Sequence, residues 1–235
     1  GLRGKKGVKT VEVNANHQLV DTRSQQDPVS GNSLVLTIDA DVQAAMEKAM
    51  EETIALLQEK YPKARAGSGV LINVKTGAVI AMVSYPYLDP NDFANGLSND
   101  KVDYYMNNND KPLFNRSVAG AYPPGSTFKM VTLTAALMSG KITEDTRITC
   151  TPSAWVDPKA ICPRAHGSVN MYEALAVSCN NFFQDIALMA TAEELYKAGW
   201  EYGLGHVTGI ELPGEVSGLL PDAEWKANRF TGREP

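Results

Sequence analysis

Histidine is scarce in this 235-residue chain. There are three, and none lies in the stretch "AGAYPPGSTFKM" at 119–130, so its serine, Ser126, has no imidazole beside it in sequence. Cysteine is also sparse, and Cys150, Cys162 and Cys179 contain no Cys-x-x-Cys, the spacing common in zinc sites. An odd number of thiols leaves at least one free unless another chain supplies a partner. Cys150 and Cys162 flank a loop, which suits one disulfide or two buried free thiols equally well. Positive charge is not in excess: 22 Lys and Arg against 27 Asp and Glu give a net charge of −5, which argues against a nucleic-acid partner. No apolar run reaches the ~18–20 residues of a membrane span, and no signal peptide opens the chain. The start, "GLRGKKGVKTVEVNA", reads like the interior of a longer protein. Internal repeats and low-complexity tracts are missing too. What remains, 43% apolar and 21% charged residues, is an ordinary globular composition.

Along the chain, "TVEVNA" alternates like one strand, and the Ser, Asp, Pro and Gly of "SQQDPVSGN" mark a loop that places a domain boundary near Ser30. "SLVLTI" (33–38) reads as a strand, and Asp39 as the N-cap of a helix whose apolar face carries Val42, Ala45, Met46, Ala49, Met50, Ile54 and Leu57. "SGVLINV" and "AVIAMVS" form a β-hairpin around Lys75, Thr76 and Gly77. Residues 86–118, rich in Asn, Asp and Pro, predict a long ordered loop with short helical pieces, a length that often serves function. A helix runs from Ser126 to Met138 and stops at Gly140. Residues 141–167 are expected as loop, 171–190 as two helical runs around "SCNN", and "AEELYKAGWEYG" as a helix stopped by Gly203. The order of strand, helix, hairpin and helical block predicts an α+β fold, an antiparallel sheet with a helical lobe beside it. With only three expected strands, that sheet is short.

The Pro-Pro-Gly before Ser126 fixes a tight turn, and Lys129 lies three residues on, so both side chains share a helix face. A hydroxyl is a poor nucleophile until something takes its proton. A neutral lysine can do so, but at its ordinary pKa only about one in 2,500 is neutral at pH 7. Burial or a second cation must lower that value, and Phe128, Met130, Val131 and Leu133 offer the apolar surroundings. The same spacing in "SNDK", Ser98 to Lys101, lacks both the turn and the apolar helix, and reads as a plain loop. A serine–lysine pair also needs a second hydroxyl and an amide. Ser-x-Asn occurs at 30–32, at 168–170 and at 178–180. The first lies in the boundary loop. The second precedes "MYEAL", with Glu173 three after Asn170, as in a helix capping box. The third, Ser178 and Asn180, interrupts two apolar helical runs, where polar side chains need a reason; these two are taken as site residues.

"LFNRSVAGAYPPGSTFKMVT" followed by "HGSVNMYEALAVSCNNFF" resembles the transpeptidase domain of class B penicillin-binding proteins, whose serine–lysine motif is familiar. "SLVLTIDADVQ", "NVKTGAVIAMVSYP" and "TGIELPGEVSGLLP" match family phrases in the expected order. The resemblance implies a serine-transpeptidase/β-lactamase-like fold over 31–235, with 1–30 as the end of a non-catalytic pedestal. It implies Ser126 as the nucleophile, Lys129 as its base, Ser178 as a proton shuttle to the leaving amine, and Asn180 as a ligand of the donor peptide. The Ser126 backbone N–H would supply half of an oxyanion hole.

The family's third element, Lys-Thr-Gly, follows Ser-x-Asn on a strand. Lys75, Thr76 and Gly77 precede the serine and sit in a hairpin turn, so they are set aside. The element is expected beyond Pro235 together with several core strands, so the fold in this chain is expected to be incomplete and the chain alone inactive. By resemblance, the function is a peptidoglycan D,D-transpeptidase acting on stem peptides that end in D-Ala-D-Ala. β-Lactams would acylate the same serine. Other cell-wall synthesis proteins are expected as partners, no metal or organic cofactor is implied, and the location is the outer face of the cytoplasmic membrane. Two rivals stand: a class D β-lactamase or β-lactam sensor of the same fold, and a non-catalytic cell-wall scaffold.

Overall fold

The computed structural model describes residues 2–94, 96–151 and 161–230. They form two compact units, one up to Tyr87 and one from Leu88 onward.

In the first unit the alternating stretch near the start does form a strand, β1 (Val8–Val13), and pairs antiparallel with β2 (Leu19–Gln26), which composition alone did not suggest. Arg23 crosses the hairpin to Glu12 at 2.6 Å. Helix α1 (Ala40–Lys60) begins at Asp39, whose carboxylate accepts the N–H groups of Asp41 and Val42 and so satisfies two of the free donors at a helix start. The helix lies on the hairpin of β3 (Gly67–Ile72) and β4 (Val79–Tyr85). The Gln43 amide fastens them, donating to the Met82 carbonyl at 2.9 Å and accepting the Met82 N–H at 2.8 Å. Gly69 allows the close approach, since a Cβ there would stand 2.4 Å from Met46 Cε. Lys75, Thr76 and Gly77 occupy the β3–β4 turn, with the Thr76 and Gly77 N–H groups on the Asn73 carbonyl and Gly77 at φ +76°.

Residues 33–38 do not form the expected strand. Thr37 Oγ1 donates to the Val79 carbonyl at 2.5 Å and the Asp39 N–H to the Ile80 carbonyl at 2.9 Å, while Leu34, Val35 and Leu36 stay exposed. β-Branched residues favour a strand only where a neighbour supplies the ladder and a face to pack on.

The second unit is mostly helical. Three short pieces, α2 (Asn91–Ala94), α3 (Asn99–Asn107) and α4 (Arg116–Ala119), punctuate the long loop. Ser98, expected in a plain loop, is the N-cap of α3, and Lys101 pairs with Asp92 at 2.8 Å. A 3₁₀ turn (Gly125–Phe128) leads without a break into α5 (Lys129–Met138). Two three-residue strands, β5 (Ile148–Cys150) and β6 (Gly167–Val169), pair antiparallel where a loop was expected. Then follow α6 (Met171–Ala176), α7 (Asn180–Met189), α8 (Ala192–Glu201) and α9 (Ala223–Arg229). Asn170 and Glu173 close the capping box of α6. The core joins Leu133 and Ala136 of α5 to Val169, Met171, Ala174, Phe182, Phe183 and Ile186, with all three cysteines buried inside it. It anchors α5 and α7, which begin at Lys129 and Asn180, while Ser126 lies in the 3₁₀ turn before α5 and Ser178 between α6 and α7. The fold is α+β, though among the described residues its strands make three separate two-stranded hairpins.

Candidate active site

The second unit brings Ser126, Lys129, Ser178 and Asn180 together. Gly125, at φ +58°, makes the turn that starts the 3₁₀ segment, a backbone region that glycine enters without a Cβ penalty. Thr127 Oγ1 donates to the Pro124 carbonyl at 2.7 Å and tightens the same turn. In a 3₁₀ turn residues three apart eclipse, so Ser126 and Lys129 project to one side. Ser126 is exposed and Lys129 half-buried.

Opposite them, α6 ends in a Schellman motif. The Cys179 N–H reaches the Ala174 carbonyl at 2.8 Å and the Ser178 N–H the Leu175 carbonyl at 3.1 Å. The residue just past such a helix end is usually glycine, because it adopts positive φ. Here it is Ser178, at φ +51°. A Cβ in that conformation costs about 1–2 kcal/mol. The cost places the hydroxyl in front of Lys129 rather than back along the helix. Cys179 then caps α7, its sulfur accepting the Phe182 N–H, and Asn180 is the first residue of that helix.

Lys129 Nζ donates to the Ser178 carbonyl and to Ser178 Oγ, both at 2.8 Å, and to Asn180 Oδ1 at 2.6 Å. Ser178 Oγ donates to Ser126 Oγ at 3.2 Å. The amine also lies 5.5 Å from the centre of the Phe183 ring. Burial holds the Lys129 pKa below the usual 10.5, against an opposing pull from Cys162 and Cys179. No direct Ser126–Lys129 hydrogen bond bridges the pair; Ser178 stands between them. The arrangement can pass a proton between two hydroxyls and an amine while an amide holds the amine in place.

Reading the sequence left out Phe183 and the thiols behind the site. The aromatic pair in "SCNNFF" is the only hint of the first. For the second, Asn180 gives the clue: its N–H reaches Cys162 Sγ at 3.1 Å and its Nδ2 the Ile161 carbonyl at 3.4 Å, contacts that only the folded chain makes.

Residues 67–232 match the model of the penicillin-binding protein transpeptidase domain. Peptidoglycan D,D-transpeptidase MrdA of Acinetobacter baumannii is 31% identical over 231 residues, which is 96% of this chain and 32% of that protein. MrdA of Escherichia coli K12 is 32% identical, over 97% of this chain and 35% of its own length. Among solved structures, a peptidoglycan synthase complex that coordinates polymerization and crosslinking matches with TM-score 0.80 and 33% identity, over 97% of this chain and 41% of that one. Helicobacter pylori PBP2 in complex with MreC matches with TM-score 0.72 and 31% identity, over 99% and 42%. The chain thus spans about a third of the length of the curated relatives it matches.

Proposed function

This chain belongs to the penicillin-binding protein transpeptidase family, and from that premise we propose that it carries the acylating residues of a peptidoglycan D,D-transpeptidase. The observation that carries this reading is the hydrogen-bonded series from Lys129 Nζ through Ser178 Oγ to Ser126 Oγ, at 2.8 and 3.2 Å. A neutral Lys129 keeps two N–H groups for the Ser178 carbonyl and Asn180 Oδ1, and turns its lone pair to Ser178 Oγ. The Ser126 proton then passes to Ser178 Oγ as the Ser178 proton passes to Lys129, and Ser126 Oγ attacks the carbonyl of the penultimate D-Ala. The 3.2 Å step is long for a hydroxyl pair, as is common before substrate binds.

As the tetrahedral intermediate collapses, the proton returns through Ser178 to the leaving nitrogen and the terminal D-Ala departs. An amine of a neighbouring stem peptide then takes the acyl group from Ser126. The Ser126 N–H supplies one donor to the oxyanion, and Asn180 holds both Lys129 and the donor peptide. A β-lactam acylates the same oxygen by opening its ring.

The remaining parts are read by likeness to the family. Residues 1–30 are the end of a pedestal and 31–235 the N-terminal portion of the transpeptidase domain. The protein works outside the cytoplasmic membrane with other cell-wall synthesis proteins. Among the described residues, no helix is long and apolar enough to cross a membrane.

The test is an intact-mass spectrum of the full-length protein with and without penicillin. One adduct, mapped to Ser126 and abolished by Ser126→Ala, is the expected result. An adduct that survives Ser126→Ala sinks the site. Rapid loss of the adduct by hydrolysis favours the β-lactamase rival, and none on folded protein favours the scaffold.

A further inference from the structure

The Lys129 amine is surrounded by neutral acceptors. Ser178 Oγ and the Ser178 carbonyl lie 2.8 Å from Nζ, and Asn180 Oδ1 lies 2.6 Å from it. Together they take all three N–H groups of an ammonium. Among the described residues no carboxylate pairs with it. The titratable groups that act on it are the thiols of Cys162 and Cys179. The remaining neighbour is the Phe183 ring, which lies under Nζ with its centre 5.5 Å away. That separation falls within the reach of a cation–π contact, about 6 Å.

The ring is firmly held in that place. Phe183 is 5% exposed, and its ring meets Phe182 edge-on, with centres 5.4 Å apart and planes at 68°. Phe182 is itself fully buried, which leaves the pair little room to turn away. Asn180 and Phe183 stand three apart on α7 and so share a helix face. One turn of one helix presents both an amide oxygen and an aromatic ring to the amine.

The chemistry makes two opposed demands on Lys129. At rest the amine must be neutral to receive a proton, and during attack on the substrate it becomes an ammonium. A carboxylate beside Nζ would favour the ammonium at all times and keep the base protonated. Apolar burial alone would free the amine but leave the ammonium unsupported. An aromatic ring meets both demands. Its carbon skeleton excludes water, while its electron-rich face attracts a cation more gently than a full negative charge does. We propose that Phe183 is a positioning residue for Lys129, its ring stabilising the ammonium that forms as Ser126 attacks. In that step the Ser126 Oγ–carbon bond forms and the carbonyl π pair moves to oxygen. The Ser126 proton passes to Ser178 Oγ as the Ser178 proton passes to Nζ, and the charge on Nζ is relieved when a proton leaves for the departing nitrogen. The contact between ring and amine stands on geometry alone; its part in acylation rests on the transpeptidase reading.

The experiment places phenylalanines with one, two and three ring fluorines at position 183 of the full-length protein. Fluorine drains electron density from the ring face and barely alters its volume, so packing is nearly blind to it. Acylation by a fluorescent penicillin is followed across pH, and the titration of Lys129 is followed separately by NMR of isotope-labelled lysine. On the high-pH plateau, where the amine starts neutral, each fluorine is expected to slow acylation, reaching roughly 3–30-fold with three. The rising limb and the Lys129 titration are both expected to move to lower pH, because the resting ammonium loses the same support.

A plateau rate and a titration that ignore fluorine overturn the proposal and leave Phe183 as packing. A fall in rate with an unmoved Lys129 titration overturns it too, since the ring then acts elsewhere than on the amine. Protein whose Lys129 titration follows the fluorines, but which takes up no penicillin, supports the contact of ring and amine and counts against the transpeptidase reading instead.

Discussion

Ser178 sits in a conformation that glycine adopts freely and serine does not, at the end of a helix where glycine is the common choice. Ser178→Gly is therefore expected to stabilise the protein by up to about 1 kcal/mol in denaturant unfolding, while acylation by penicillin collapses with the loss of the hydroxyl. Ser178→Ala loses the same hydroxyl and keeps the backbone strain, so it is expected to lose activity without the gain. Equal stability of the two variants would show that the strain is not real. Lys129 supports a second expectation at this scale. Its pKa lies below 10.5 because burial disfavours the charged form. Acylation needs the neutral amine, so its rate is expected to rise with pH through that lowered value and level off above it. A rising limb centred at or above 10.5 in the pH profile of acylation would remove Lys129 as the base. Serine and lysine three apart after Pro-Pro-Gly were legible as a pair in the sequence. That Ser178 stands between them was not, because a contact across 49 residues leaves no trace in local spacing.

At the scale of elements, the two Ser-x-Asn copies beside α6 have different tasks. Asn170 accepts the Glu173 N–H at 3.0 Å while Glu173 accepts the Asn170 N–H at 2.9 Å, a closed capping box. Arg147 reinforces it by reaching Glu173 at 2.7 Å. Asn170→Ala is expected to cost about 1 kcal/mol of stability in denaturant unfolding and to leave acylation of the folded protein intact. Loss of acylation with unchanged stability would exchange the roles of the two motifs. α1, α8 and the β3–β4 hairpin were readable from period and caps alone, since local hydrogen bonds and one apolar face decide them. β2, β5 and β6 escaped because their neighbours lend them strand character, and residues 33–38 misled for the converse reason.

For the molecule as a whole, the site depends on one core. Phe182 is fully buried and packs edge-on against Phe183, whose ring also lies under Lys129. Phe182→Ala is expected to cost roughly 3–5 kcal/mol, a large share of the ~5–15 kcal/mol that holds a typical protein folded. Thermal unfolding should move to lower temperature, and penicillin uptake should fall with it as α7 loosens. A variant with an unchanged midpoint would mean that the helical unit does not rely on this contact.

By itself the sequence determined the chemistry available: a serine at a forced turn, a lysine three residues later, apolar neighbours to neutralise it, and a family likeness long enough to set the fold class. Those features are local, and short-range sterics and helix periodicity write them into neighbouring residues. Tertiary structure alone decided that the lysine reaches Ser126 through the hydroxyl of Ser178, and that three scattered thiols and a histidine come within 4.8 Å of one another. Such choices depend on which surfaces the core presses together, and packing free energy is summed over contacts that no stretch of sequence contains.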